Sequence, residues 1–244
     1  DGGFRLATET HVGRRGEVRA RRVVLAFGAY DEPNLLGVPG EELPHVSHFY
    51  DEPQRYFGRD VLIVGGKNSA VEAAIRCVRI GAHVTLSYRG SEFDSKRVKF
   101  WLRPEIEAMI RDKRLDFLPY TSVRQIKRDV VLLTQISSTT PVEELRVPAE
   151  VVLLLTGYEQ DPTLLEQAGV ILEGPARRPQ FDGRTMETNV PGLFVAGTAS
   201  AGTQSEGVKE FIETSHVHVD RIVAALTGAP APEAETPDYA LPES

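Results

Sequence analysis

The stretch Val61-Leu62-Ile63-Val64-Gly65-Gly66-Lys67-Asn68-Ser69-Ala70 decides how this chain is read. Four aliphatic residues in a row describe a strand buried on both faces. Two glycines then supply a tight turn. From Asn68 to Ile80 the residues Val71, Ala74, Ile75 and Val78 recur at three- and four-residue steps, the period of a helix. Gly81 stands where a left-handed residue ends such a helix. His83-Val84-Thr85-Leu86-Ser87-Tyr88 follows as a second strand. A strand, a glycine turn and a helix in this order attract an anion, because the first N–H groups of the helix lack internal partners and carry the positive end of its dipole. The spacing approaches the dinucleotide fingerprint Gly-x-Gly-x-x-Gly/Ala, with Gly65 first and Ala70 last. Lys67 fills the middle place, which hinders the closest backbone approach and puts a cation beside the phosphates. Gly65, Gly66, Lys67, Asn68 and Ser69 are therefore the candidate pyrophosphate ligands.

The end of the second strand selects the nucleotide. An acidic residue there, about 20 residues past the glycines, holds the ribose of NAD. Here Ser87-Tyr88-Arg89-Gly90 offers none. Arg89, with Lys96 and Arg97 just beyond, suits a 2′-phosphate, since an Arg fork matches phosphate geometry. The expected nucleotide is NADPH.

The composition excludes several classes. In 244 residues, 28 Lys and Arg face 35 Asp and Glu, a net charge of −7. That is no footprint for nucleic-acid binding. The 41% hydrophobic and 26% charged residues describe a globular chain. The longest aliphatic run, Val151 to Leu155, falls far short of the ~20 residues of a membrane span, so no membrane partner is expected. One cysteine, Cys77, excludes an internal disulfide and a cysteine-cluster metal site. A lone thiol suits a reducing compartment, and a cytoplasmic location is expected. Cys77 sits mid-helix and reads as a small core residue, as free cysteines commonly are.

The flanking sequence organises itself around this unit. Residues 4 to 27 read as a hairpin-like piece running into a buried strand, Val23 to Phe27. It is either the tail of a domain whose beginning precedes Asp1 or a ribbon complete in itself. Residues 31 to 44 form a loop rich in proline and glycine. Val23-Val24-Leu25 ends on Gly28 and Tyr30, and Val151-Val152-Leu153 ends on Gly157 and Tyr158. This echo brackets residues 58 to 148 and suggests an inserted unit; coincidence between two buried strands is the alternative. Leu193 to Ala196 is the last strand, closed by Gly197, and a helix is expected from about Gly207 to Leu226. Residues 229 to 244, acidic and rich in proline, are expected to be disordered. His216 and His218 point to different faces of their helix and make no metal pair; Trp101 is expected in packing. No metal site is expected.

The set Gly28-Ala29-Tyr30-Asp31-Glu32-Pro33-Asn34, Val38-Pro39-Gly40-Glu41, Gly65 to Ala70 and Leu193 to Thr198 resembles the thioredoxin-reductase-like flavoproteins. His45 to Tyr50 and Glu187 to Gly192 make their bacillithiol disulfide reductase branch the most similar. The resemblance covers residues 4 to 228. It implies an α/β fold of the three-layer ββα FAD/NAD(P)-binding type, with a Rossmann-like NADPH domain inserted into an FAD domain that is here incomplete. The implied map is a partial FAD domain and crossover over 1–56, an NADPH domain over 57–148, and a return to the FAD domain over 149–228. The family's first glycine fingerprint for FAD would precede residue 1. Gly28, Gly197 and Thr198 would then remain of the FAD site, and Gly157 is a further cofactor-binding candidate.

The implied activity passes electrons from NADPH through FAD to a low-molecular-weight disulfide. An NADPH-dependent reductase of a protein carrier such as ferredoxin is the alternative, and a nucleotide-binding sensor without turnover is a third. A small-molecule or small-protein acceptor is the implied partner, and a homodimer is allowed. Three departures bear on this. The Cys-x-x-Cys of thioredoxin reductases is missing, Thr198 stands where the related proteins commonly carry Asp, and Phe27 replaces a common Thr. No catalytic residue is assigned.

Overall fold

A computed structural model describes residues 3–95, 97–135, 143–203, 210 and 214–230. Among them the chain divides into two units. One is Pro33–Gly157; the other combines the chain up to Glu32 with the chain from Tyr158 onward.

The Pro33–Gly157 unit is built on a parallel sheet of five strands, in the order Val46–Ser47, Val151–Leu154, Asp60–Val64, His83–Tyr88, Asp116–Pro119. The run Val61 to Val64 is apolar at every position because both of its faces are covered. Val61 and Ile63 pack with the helices Asn68–Arg79 and Leu102–Arg111. Leu62 and Val64 pack with Ile126, Val131, Leu133 and Val147 of an antiparallel sheet, Thr121–Ile126, Val130–Gln135 and Glu143–Pro148. Helices, parallel sheet and antiparallel sheet form the three layers expected of the FAD/NAD(P)-binding α/β fold. The Asn68–Arg79 helix carries Ala70, Ala73 and Ala74 on its buried side, and such small side chains let it lie close to the sheet. It ends at Gly81, whose φ is +90°. There the Gly81 N–H bonds to the Val78 carbonyl and the Ala82 N–H to the Cys77 carbonyl, at 3.1 and 3.0 Å, the double bond of a Schellman cap.

One expectation is corrected here. The Val151 strand was expected to leave this unit at 149; it lies inside the same parallel sheet, paired with Asp60–Val64 on one side and Val46–Ser47 on the other. Leu153 faces the helical layer while Val152 and Leu154 face the antiparallel layer. Burial on both faces gives a run of aliphatics wherever the strand sits, so its likeness to Val23–Leu25 carried no topological information. The crossover residues from Pro33 belong to this unit for the same reason, since Val46–Ser47 is the edge strand of its sheet.

The other unit holds the antiparallel hairpin Phe4–Glu9 with Arg15–Ala20, and the parallel pair Val23–Leu25 with Leu193–Val195. Leu25, Leu193, Leu165 and Val170 form one core cluster; Met186, Phe194, Ala196 and Ile222 form a second. The last described helix is His216–Thr227, closed by Gly228 at φ +73°. The expected helical start at Gly207 and most of the expected disordered tail lie outside the described residues. No helix among the described residues is long and apolar enough to cross a membrane.

Leu153 is fully buried in the central layer. Leu153→Ala should destabilise the Pro33–Gly157 unit by about 2–5 kcal/mol, the range for emptying a leucine site in a packed core. Denaturant unfolding checks this, and a loss well under 1 kcal/mol would contradict a central strand here.

Candidate functional site

The Gly65 turn is held by close backbone contact. The Gly65 N–H donates to the Ser87 carbonyl at 3.0 Å, and the Leu155 N–H donates to Val64 at 2.9 Å. Gly65 has φ +144°, and a Cβ there would lie 2.5 Å from the Leu155 carbonyl oxygen and 2.9 Å from Ala70 Cβ. Only glycine fits this position, and only a small residue fits at Ala70. Gly66 is buried, and a Cβ on it would overlap the Tyr88 ring. Lys67 is the exposed N-cap, with extended backbone (φ −106°, ψ −174°) and no side-chain cap on the helix. The N-cap side chain thus makes no bond to the first N–H groups of the helix, as an anion site requires. Ser69 is exposed in the first turn. The Asn68 Oδ1 accepts the Lys99 N–H at 2.8 Å, so that oxygen ties the helix start to the chain beyond the second strand.

Arg89 is exposed at the end of the His83–Tyr88 strand and makes no ion pair with a described residue. Arg97 is half-buried, and its Nε lies 3.4 Å from Asp94 Oδ2, an acid that competes for it. Lys96 lies outside the described residues. The three cations therefore differ: Arg89 is presented, Arg97 is already engaged. Gly157 closes the Val151 strand at φ +106°, and its carbonyl accepts the Asn34 N–H at 3.0 Å. Thr156 Oγ1 donates back to the Asn34 carbonyl at 2.8 Å. This pairing clamps the places where the chain enters and leaves the unit. Glu41 fixes the preceding loop, its carboxylate accepting the N–H groups of Leu36, Gly37 and Val38 at 2.8, 2.7 and 3.3 Å.

A second glycine pair lies in the other unit. Gly28 has φ +91° and faces Thr198, whose Oγ1 would be 3.8 Å from a Cβ there. Gly197 has φ +65° and opens the short 3-10 turn Gly197–Ala201. Thr198 is buried, so it adds a hydroxyl and no charge. Two side chains tie these turns. Buried Gln160 donates from Nε2 to the carbonyls of Gly28 and Ala199, at 2.9 and 3.1 Å. His218 Nδ1 accepts the Gly197 N–H at 3.1 Å, which leaves its proton on Nε2, 4.0 Å from Glu210 Oε2. Nothing in the sequence around Gln160 marked it, because a lone glutamine after a strand has no pattern. His218 was legible only as a helix histidine.

Burial pushes His218 from its ordinary 6.5 down to about 4, with the Arg221 and Arg178 charges adding to it, and it also pushes the Glu210 carboxyl up. Cys77 is fully buried in the Asn68–Arg79 helix, and burial pushes its thiol up to about 12. A group so placed is a thiol at neutral pH and is no nucleophile. Trp101 departs from expectation. It is 45% exposed, edge-on to Phe100 at 5.0 Å, with Lys99 Nζ 5.1 Å from its ring centre.

The sequence profile of the pyridine nucleotide-disulphide oxidoreductases matches residues 1–197. The chain belongs to that family. Over 203 residues it is 39% identical to bacilliredoxin reductase Bdr of Bacillus subtilis, covering 83% of this chain and 60% of that protein. It is 27% identical over 182 residues to a ferredoxin–NADP reductase of Ignicoccus hospitalis, covering 74% and 57%. The structure of bacillithiol disulfide reductase Bdr (YpdA) from Bacillus cereus superposes with a TM-score of 0.79 at 35% identity, covering 93% of this chain and 68% of that one. The chain thus spans about 60% of the length of the curated relatives it matches. The family uses FAD and NAD(P)H, and these relatives are oxidoreductases.

Two outcomes follow from the buried groups. The unfolded chain binds a proton at histidine below its ordinary 6.5, and the folded chain resists until about 4. The contribution of His218 is therefore complete above that window and lost as pH falls through it. Glu210, raised by burial, pulls the other way. His218→Gln should flatten the fall in unfolding free energy across the window; a slope unchanged by the substitution contradicts the assignment. Cys77 should resist a thiol reagent in the native chain and react on unfolding, and rapid native labelling would contradict its burial.

Proposed function

We propose that this chain is the nucleotide-handling part of a flavin-dependent oxidoreductase that takes electrons from NADPH through FAD to a low-molecular-weight disulfide. The observation that carries this reading is the Gly65 turn, opening an uncapped helix beside the presented Arg89. The helix start receives the pyrophosphate and Arg89 receives the 2′-phosphate, with Lys67 and Ser69 flanking the diphosphate. Arg97 adds its charge at the expense of Asp94. Gly28, Gly197 and Thr198 line the flavin end of the FAD site, where glycines leave room for the cofactor and Gln160 and His218 hold the turns in register.

When bound, NADPH and FAD supply hydride transfer and an electron relay, and that chemistry belongs to the cofactors. In the net reaction NADPH gives up a hydride and becomes NADP+, and that hydride with one proton converts one disulfide into two thiols. The acceptor is assigned from the similar proteins, one named a bacilliredoxin reductase and one a bacillithiol disulfide reductase. A second reading, reduction of a protein electron carrier, draws on the buried Cys77 and on a relative named a ferredoxin–NADP reductase. We place either reaction in the cytoplasm, a reading that the lone Cys77 supports, since thiols are kept reduced there.

The nucleotide unit, Pro33–Gly157, lies wholly within this chain, so nucleotide binding is measurable on it. Arg89→Ala should weaken NADPH binding by about 1–3 kcal/mol, the loss of a charge-assisted contact, and leave NADH binding nearly unchanged. Calorimetric titration checks this. Equal weakening of both nucleotides, or no NADPH binding by the wild-type chain, would overturn the assignment.

A further inference from the structure

Tyr88 is the residue before Arg89, and its ring is fixed in an unusual way. One edge, Cδ2 and Cε2, lies over Gly66, where any Cβ would overlap it. The other edge faces Gly90, where a Cβ would sit 2.6 Å from Cε1 and 2.9 Å from Cζ. The ring therefore spans two glycines, one in the phosphate turn and one just past the presented arginine. Phe93 stacks parallel to it, with centroids 6.1 Å apart and planes at 12°, and Phe117 lies 5.2 Å beyond Phe93. The backbone on either side of Arg89 is also pinned. The Ser87 carbonyl accepts the Gly65 N–H at 3.0 Å, and the Gly90 carbonyl accepts the Tyr120 N–H at 3.1 Å. Buried Ser87 Oγ lies 2.8 Å from Thr121 Oγ1. Arg89 is exposed on this fixed backbone and makes no ion pair with a described residue.

We propose that Tyr88 is a positioning residue for nucleotide discrimination: its ring, wedged between Gly66 and Gly90, sets the distance between the phosphate turn and Arg89. The inference rests on the nucleotide reading above. A guanidinium held at a set distance from the pyrophosphate loses little conformational freedom on meeting a 2′-phosphate, so the ring contributes through preorganisation. NADH has no 2′-phosphate and gains nothing from that distance. The apolar ring supplies the wedge, and the hydroxyl is dispensable. Glycine at 66 and at 90 is then a requirement of the same wedge, which explains why the residue after Gly65 is a second glycine when the usual fingerprint leaves that place open.

The test is the ratio of NADPH to NADH affinity, titrated on the full chain with each nucleotide. Tyr88→Ala should lower the ratio about tenfold, and Tyr88→Phe should keep it within about twofold of wild type. Gly90→Ala, which drives a methyl group into the ring, should lower it as Tyr88→Ala does. In a double-mutant cycle, Tyr88→Ala and Arg89→Ala should be non-additive for NADPH, because the ring acts only through the arginine. Circular dichroism confirms folding of each variant; if Tyr88→Ala fails to fold, the Gly90→Ala ratio decides. A ratio unchanged in Tyr88→Ala or in folded Gly90→Ala overturns the proposal while leaving NADPH binding intact. Additivity in the cycle also overturns it. A wild-type chain that binds neither nucleotide overturns the nucleotide reading itself.

Discussion

The close approach at Gly65 is the constraint on which the Pro33–Gly157 unit depends. The Asp60–Val64 strand, the Val151–Leu154 strand and the Asn68–Arg79 helix meet there with no room for a Cβ. That crowding sets the helix close on the sheet, and the alanines at 70, 73 and 74 are the sequence's answer to it. It also aims the helix N-terminus out past the ends of the strands, the position at which open α/β sheets bind ligands. Replacing Gly65 would remove the turn and with it the packing of three elements.

The chemistry follows from what this geometry leaves unsatisfied. Helix N–H groups without a side-chain cap and a presented Arg89 favour an anion with more than one phosphate. The lone thiol is withdrawn into the helix core, so Cys77 does not supply a redox relay. In the other unit, Gln160 and His218 use their hydrogen bonds on the backbone of two glycine turns, which suits side chains that hold a cofactor's surroundings and leave the reaction to it.

Much of this was legible in the sequence, and the rest was not for identifiable reasons. The strand, turn and helix from Val61 to Gly81 were readable because period, glycine placement and capping all agreed. The sheet position of Val151–Leu154 was not, since a strand buried on both faces shows only that it is buried. The edge strand Val46–Ser47 was not read at all, because two residues are too few to show alternation. Among the site residues, Gly65 and Arg89 announced themselves by spacing. The Asn68 bond to Lys99 and the Gln160 bridge depend on contacts across the fold, which no local pattern encodes; the pairing of Arg97 with Asp94, three residues earlier, is local and lay within reach of the sequence. Trp101 was assigned to packing by residue type, yet it stands at the exposed start of a helix.

The central claim is that a pyridine nucleotide seats on the Gly65 turn. Amide chemical shifts followed by NMR during titration with NADP+ test it without reference to turnover. The account predicts that the largest changes fall on Gly65, Gly66, Lys67, Asn68 and Ser69, with Arg89 next. Changes concentrated at Gly28 and Gly197–Ala201, with the Gly65 turn unmoved, would contradict it.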